Sequence, residues 1–111
     1  NIAVFSSSTA NEMKEWRNYK SHYAKVVIKR QNALTGAFLP GSEISIYDKA
    51  DKWNTMRTCS IMKASGLVLY VKAGRDYGIF ESMVPNGSQK AQRIEFTAMP
   101  LTEGCNEFIM K

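Results

Sequence analysis

From residue 23 onward apolar and polar side chains alternate with a period of two, and before it they recur every three to four residues. The chain therefore divides into a helical N-terminal piece and a run of short strands. In the first piece Ile2 to Phe5 is apolar and reads as a strand. Thr9 stands three residues before Glu12, the capping-box spacing that satisfies free backbone donors, so a helix is expected to begin near Ala10. Met13, Trp16, Tyr19 or Lys20, and Tyr23 then share one stripe, and the helix is expected to fade around His22. Strands follow at Ala24 to Gln31, Glu43 to Tyr47, Thr55 to Met62, Leu67 to Lys72, Tyr77 to Val84 and Arg93 to Met99, with a short last one at Asn106 to Met110. Gly- and Pro-bearing stretches such as Leu34 to Gly41 and Pro85 to Ser88 separate them.

Short strands at intervals of about ten residues predict a mainly β chain, a seven- or eight-stranded antiparallel β-sandwich with one N-terminal α-helix. Residues 1–111 read as a single domain, with strand and helix over 1–23 and the sandwich over 24–111. A length of 111 residues, 44% of them hydrophobic and 23% charged, fits one such domain and leaves no room for a second. Apolar runs fall far short of the roughly 20 residues of a membrane-spanning helix, so no membrane insertion is expected.

Charge changes the picture locally. Lys14, Arg17, Lys20, Lys25, Lys29 and Arg30 face only Glu15, an excess of five that equals the whole net charge of +5. Trp16, Tyr19, His22 and Tyr23 interleave with them. Cations beside flat rings suit phosphates, acidic proteins or stacked bases, and Lys14, Trp16, Arg17, Tyr19, Lys20, Lys29 and Arg30 are the candidate binding residues. The competing expectation is that Met13, Trp16 and Tyr23 pack the helix onto the sandwich and the cations form its solvated back.

Catalytic and metal chemistry find little support. His22 is the only histidine and sits among charged neighbours, and no HExxH, P-loop or Rossmann pattern occurs. Asp48 and Asp51 flank a loop without the oxygen-rich spacing of a calcium site. No enzyme, metal or cofactor is expected. Two cysteines without a CxxC exclude a structural zinc site and leave a Cys59–Cys105 disulfide or two separate buried thiols. The disulfide is the expectation, closing a loop of about 47 residues for roughly 4 kcal/mol. With the start at Asn1 it suits a secreted protein, although a trimmed chain would begin the same way. Asn86-Gly87-Ser88 is both a glycosylation sequon and a favoured hairpin turn.

The segment Thr35-Gly36-Ala37-Phe38-Leu39-Pro40-Gly41-Ser42-Glu43-Ile44-Ser45-Ile46-Tyr47-Asp48 resembles the opening of prealbumin-like (transthyretin-like) β-sandwich modules, which include CnaB-type repeats and carboxypeptidase regulatory-like domains. Ser65-Gly66-Leu67-Val68-Leu69, Ala73-Gly74-Arg75-Asp76-Tyr77 and the run from Tyr77 to Gly87 continue the pattern, which covers about 60 residues, from Lys25 to Gly87. In CnaB-type modules a strand lysine is joined to a late Asn or Asp by an isopeptide bond, assisted by a buried acid that Glu81 matches. Here the lysine position falls on Arg30, whose guanidinium is not an amine nucleophile. Lys29, one residue away, points to the other face of its strand, and Asn106 fits as the late partner only if the register slips. The resemblance implies the fold without the cross-link.

The function expected is that of a non-catalytic secreted or cell-surface module that binds a protein or glycan. A small secreted effector or toxin-like protein is the alternative within the same compartment. A nucleic-acid binder using Lys14 to Arg30 is the alternative from another class, and no RNP, KH or cold-shock signature accompanies that charge.

Overall fold

The computed structural model describes residues 18–51 and 55–111. The expected strand at Ile2 to Phe5, the helix start at Ala10 and the candidates Lys14, Trp16 and Arg17 lie outside the described residues. Residues 18–22 are helical and lead directly into the first strand. Seven strands follow: β1 (Tyr23–Arg30), β2 (Glu43–Asp48), β3 (Thr55–Ser60), β4 (Leu67–Lys72), β5 (Asp76–Met83), β6 (Ile94–Thr97) and β7 (Asn106–Met110). They form a three-stranded sheet in the order β4-β1-β7 and a four-stranded sheet in the order β3-β2-β5-β6. The chain is a mainly β sandwich, as its alternation predicts.

The β1 sequence explains why the sheets face each other. Its burial alternates strictly, with Ala24, Val26, Ile28 and Arg30 inward and Tyr23, Lys25, Val27 and Lys29 outward. The inward apolar residues meet Leu69 and Val71 of β4, Met110 of β7, Ile44 and Ile46 of β2, and Tyr77 and Ile79 of β5 in one core. Such burial contributes about 1.5–3 kcal/mol for each large aliphatic side chain.

Two features depart from expectation. β1 pairs antiparallel with β4 but parallel with β7, Val26 lying opposite Asn106 and Arg30 opposite Met110, so the sandwich contains one parallel pair. β6 is also shorter than Arg93 to Met99. Its ladder ends because the Ala98 N–H donates to the Arg75 carbonyl (3.0 Å) and the Met99 N–H to Asn106 Oδ1 (3.0 Å). Asn106 Nδ2 in turn donates to the carbonyls of Lys25 and Met99, both at 3.0 Å, which fixes the crossing from β6 to β7 against β1.

Gly78 in β5 is required by a close approach. It lies opposite Tyr47 of β2, and a Cβ there would come within 2.2 Å of the Tyr47 ring. Tyr47 lies flat over this gap, with Phe80 5.9 Å away and the Arg93 guanidinium 5.0 Å from its ring centre.

Candidate interaction surface

The outward residues of β1 and β4 meet through their antiparallel register. Tyr23 stands opposite Lys72, Lys25 opposite Tyr70 and Val27 opposite Val68, while across the parallel pair Lys29 stands opposite Ile109. Tyr19, on the helical turn, stacks on Tyr23 with ring centres 4.8 Å apart and planes 19° apart. Burial, then the nearby Tyr70 and Tyr23 phenols, push the Tyr19 hydroxyl above its ordinary pKa. Three tyrosines thus gather at one end of the outer face of β4-β1-β7. Val68, Tyr70 and Ile109 on that face are 49%, 42% and 45% exposed. Neither Lys25 nor Lys72 makes an ion pair among the described residues.

The helical turn is tied to this sheet by its backbone. Carbonyls of Lys20, His22 and Tyr23 accept N–H groups of Thr102, Ala73 and Leu101 at 2.9–3.1 Å. His22 is exposed, and its Nδ1–H donates to the Asn18 carbonyl at 2.7 Å, as a helix-end histidine does.

Two of the sequence candidates are not free cations of an open basic surface. Arg30 is not a surface cation: it is 2% exposed in the core, and its Nε–H donates to Glu81 Oε2 at 2.8 Å. Alternation along β1 puts it on the face of Val26 and Ile28, and Glu81 extends the inward row of Tyr77 and Ile79. Lys29 does lie on the outer face, but there it pairs with Glu107 (2.9 Å). Of the seven candidates, Tyr19 stacks on Tyr23 at one end of β1 and the paired Lys29 lies six residues further along the same outer face.

The residues missed by sequence reasoning are Val68, Tyr70, Lys72 and Ile109. Alternation in Leu67 to Lys72 places Val68, Tyr70 and Lys72 on one side. Only the pairing of β4 with β1 brings that side next to Tyr23 and Lys25, and pairing is a long-range property.

The Arg30–Glu81 pair is the most elaborate polar feature of the core. Glu81 Oε2 also accepts from the Ser42 hydroxyl (2.5 Å), and Oε1 accepts from the Ala91 N–H (2.9 Å). Burial alone would raise its pKa, but the hydrogen bonds from Arg30, Ser42 and Ala91 outweigh burial and hold the carboxyl below its ordinary value. Arg30 Nη1 donates to the Gln31 carbonyl (2.8 Å) and Nη2 to the Gln89 carbonyl. The acid expected from the family pattern is therefore buried, and it meets a guanidinium where that pattern has lysine. Asn106 lies four positions along β7 from the residue opposite Arg30, and its amide is committed to Lys25 and Met99. The isopeptide geometry is absent at these positions.

The expected disulfide is also corrected, because Cys59 and Cys105 are both free. Cys59 sits on β3, at one edge of the four-stranded sheet. Cys105 precedes β7, whose Phe108 packs on Phe96 of β6 at the opposite edge (4.6 Å). The sandwich separates them. Asn86 is exposed in a turn closed by the Ser88 N–H to the Pro85 carbonyl (3.0 Å), but that turn lies within the long β5–β6 connection and is not a tight hairpin. Asp48 is held by Arg75 (2.8 Å) and by the Ala50 N–H (2.9 Å). Among the described residues no group of three or more His, Cys, Asp or Glu could hold a metal ion, and no helix is long and apolar enough to cross a membrane.

No protein-family profile and no curated protein sequence matches the chain. Solved structures are similar in fold. The Bacillus anthracis TIE protein superposes with a TM-score of 0.66 at 17% identity, over 79% of this chain and 16% of that one. The C-terminal domain of the shaft pilin SpaA from Lactobacillus rhamnosus GG gives 0.51 at 14% identity, over 79% of this chain and 96% of that domain. The pilus adhesin SpaC of the same organism, in its open conformation, gives 0.50 at 19% identity, over 73% of this chain and 10% of that one. The chain thus spans about the length of one pilin domain and a small part of the TIE and adhesin chains. These likenesses establish the class as a β-sandwich module of the kind found in pilin and TIE-protein structures.

Proposed function

We propose that the chain is a non-catalytic module of a secreted or cell-surface protein, of the CnaB type, that docks an acidic protein surface on the outer face of β4-β1-β7. The observation that carries this is the composition of that sheet face: stacked Tyr19 and Tyr23 beside Tyr70, exposed Val68 and Ile109, and the cations Lys25 and Lys72 without acidic partners among the described residues. Rigid aromatic and aliphatic anchors within a cationic rim are the composition of a protein interface. The likeness to pilin and adhesin domains supports the surface setting. Nucleic acid is the weaker fit, because Arg30 is inside the core and Lys29 is neutralised by Glu107.

The test is a paired capture of surface proteins from the source organism by the wild-type chain and by the Tyr70→Ala/Lys72→Glu variant. A directly titrated protein that binds the wild type and binds the variant at least tenfold more weakly supports the reading. Undiminished binding by the variant removes this face from the interface. Loss of binding on deglycosylating the captured protein makes the ligand a glycan instead.

A further inference from the structure

At the end of the sandwich where β1 and β7 finish, a cavity of about 300 Å³ opens between the turn after β1 and the β5–β6 connection. Arg30, Asn32, Ser88, Gln89, Lys90 and Lys111 line it, and no Asp or Glu does. It lies in a different place from the tyrosine-bearing sheet face.

The lining is arranged as donors. Arg30 is 2% exposed, and three of its five N–H groups are used, one each on Glu81, the Gln31 carbonyl and the Gln89 carbonyl. One N–H on each terminal nitrogen is left without a protein acceptor. Two acceptors beside the cavity are already occupied: the Asn32 side-chain oxygen takes the N–H groups of Leu34 (2.8 Å) and Thr35 (3.1 Å), and the Gln89 carbonyl takes Arg30. The Asn32 amide nitrogen is left to donate. Lys90 and Lys111 are exposed and make no ion pair among the described residues. Glu81 balances Arg30, so the side chains lining the cavity carry an excess of two positive charges, from Lys90 and Lys111.

We propose that this cavity binds a carboxylate carried on a body about the size of one hexose. Each Arg30 guanidinium nitrogen already has one acceptor, the second N–H of each terminal nitrogen has capacity for another, and a planar carboxylate offers two acceptor oxygens to such a planar donor. The volume lies at the lower limit of small-molecule sites, about 300 Å³, which exceeds a bare carboxylate and matches a single small body. Leu34, 96% exposed, also lines the cavity and offers an apolar contact to the body of the ligand. The carboxylate can come from an acidic sugar or from an acidic amino acid.

The test is a titration of the isotopically labelled chain with glucuronate, N-acetylglutamate, inorganic phosphate and glucose, followed by amide chemical shifts. The expected result is saturable movement of the Asn32 side-chain amide and of the Ser88 and Gln89 signals with at least one carboxylate. The carboxylate that saturates at lower concentration identifies the source. The Lys90→Glu/Lys111→Glu variant is expected to keep the wild-type melting temperature, because both side chains are exposed, and to bind at least tenfold more weakly. No saturable shift with either carboxylate, equal shifts with glucose, tighter binding of phosphate, or undiminished binding by the variant would each overturn the proposal.

Discussion

Replacing Arg30 by Met takes the countercharge of a buried carboxylate out of the core. The side chains of Arg30 and Glu81 are 2% and 0% exposed, so Arg30→Met leaves an ionised carboxylate buried without its countercharge. The Gln31 and Gln89 carbonyls lose a donor as well. Removing one partner of a buried ion pair costs about 3–5 kcal/mol. Glu81 keeps the Ser42 hydroxyl and the Ala91 N–H, which puts the expected cost at the lower end, about 3 kcal/mol, or a fall of roughly 12 °C in melting temperature at about 4 °C per kcal/mol.

The pH dependence supplies an independent readout. In the wild type the Glu81 pKa is depressed on folding, so its contribution is present above the ordinary carboxylate value and is lost as pH falls through the lower folded value. In Arg30→Met the largest of the effects that lower the Glu81 pKa is gone, the folded value rises relative to the wild type, and the variant loses less than the wild type as pH falls. Urea denaturation followed by far-UV circular dichroism at pH 7 and pH 4 should show a gap that narrows in acid. A loss below about 1 kcal/mol at pH 7, or a gap independent of pH, would refute the assignment of Arg30 and Glu81 as a mutually dependent pair.

Gly78→Ala is expected to cost about 1–3 kcal/mol by driving a methyl into the Tyr47 ring, and less in a Tyr47→Ala background, as measured by thermal melts of the four variants. Unreduced protein should present two thiols to Ellman's reagent, exposed Cys105 reacting faster than half-buried Cys59, whereas an intact mass 2 Da below the reduced value would restore the disulfide. Asp48→Asn should cost about 1 kcal/mol at pH 7. Burial raises the Asp48 carboxyl but Arg75 and the Ala50 N–H hold it below its usual value, so wild type and variant should converge as pH falls through that lower folded value, and parallel stability curves would contradict this.

The strands were legible because each carries its own evidence. Alternation in Leu67 to Lys72 follows from having one wet face and one dry face, and that needs no knowledge of the partner strand, whereas in Glu43 to Tyr47 the polar and apolar residues alternate although Ile44 to Tyr47 are all buried. The parallel pairing of β7 was not legible, since five residues from Asn106 to Met110 fit either direction and the choice is made by where the β6–β7 crossing lands. The Cys59–Cys105 pairing failed for the same reason. An even cysteine count says nothing about which edge of the sandwich each residue reaches, and here the two edges are opposite.

Arg30 shows how two local signals can conflict and a third resolve them. A count of charges from Lys14 to Arg30 makes it part of a basic surface, and the family pattern makes it the residue at a buried cross-linking position. The strict alternation of Ala24, Val26 and Ile28 already decides for the core, because any residue two positions beyond Ile28 on the same strand must share its face. What alternation cannot supply is the compensating charge, which comes from Glu81, 51 residues away. The positive excess assigned to one segment is therefore redistributed on folding: Arg30 is cancelled inside, Lys29 is cancelled by Glu107, and exposed cations without ion pairs among the described residues include Lys72, Lys90 and Lys111 from later in the chain. Charge counted along a sequence measures attraction only when its neutralising partners are counted across the fold, and each proposed binding region joins a residue of the counted segment, Lys25 or Arg30, to lysines from later in the chain, Lys72 or Lys90 and Lys111.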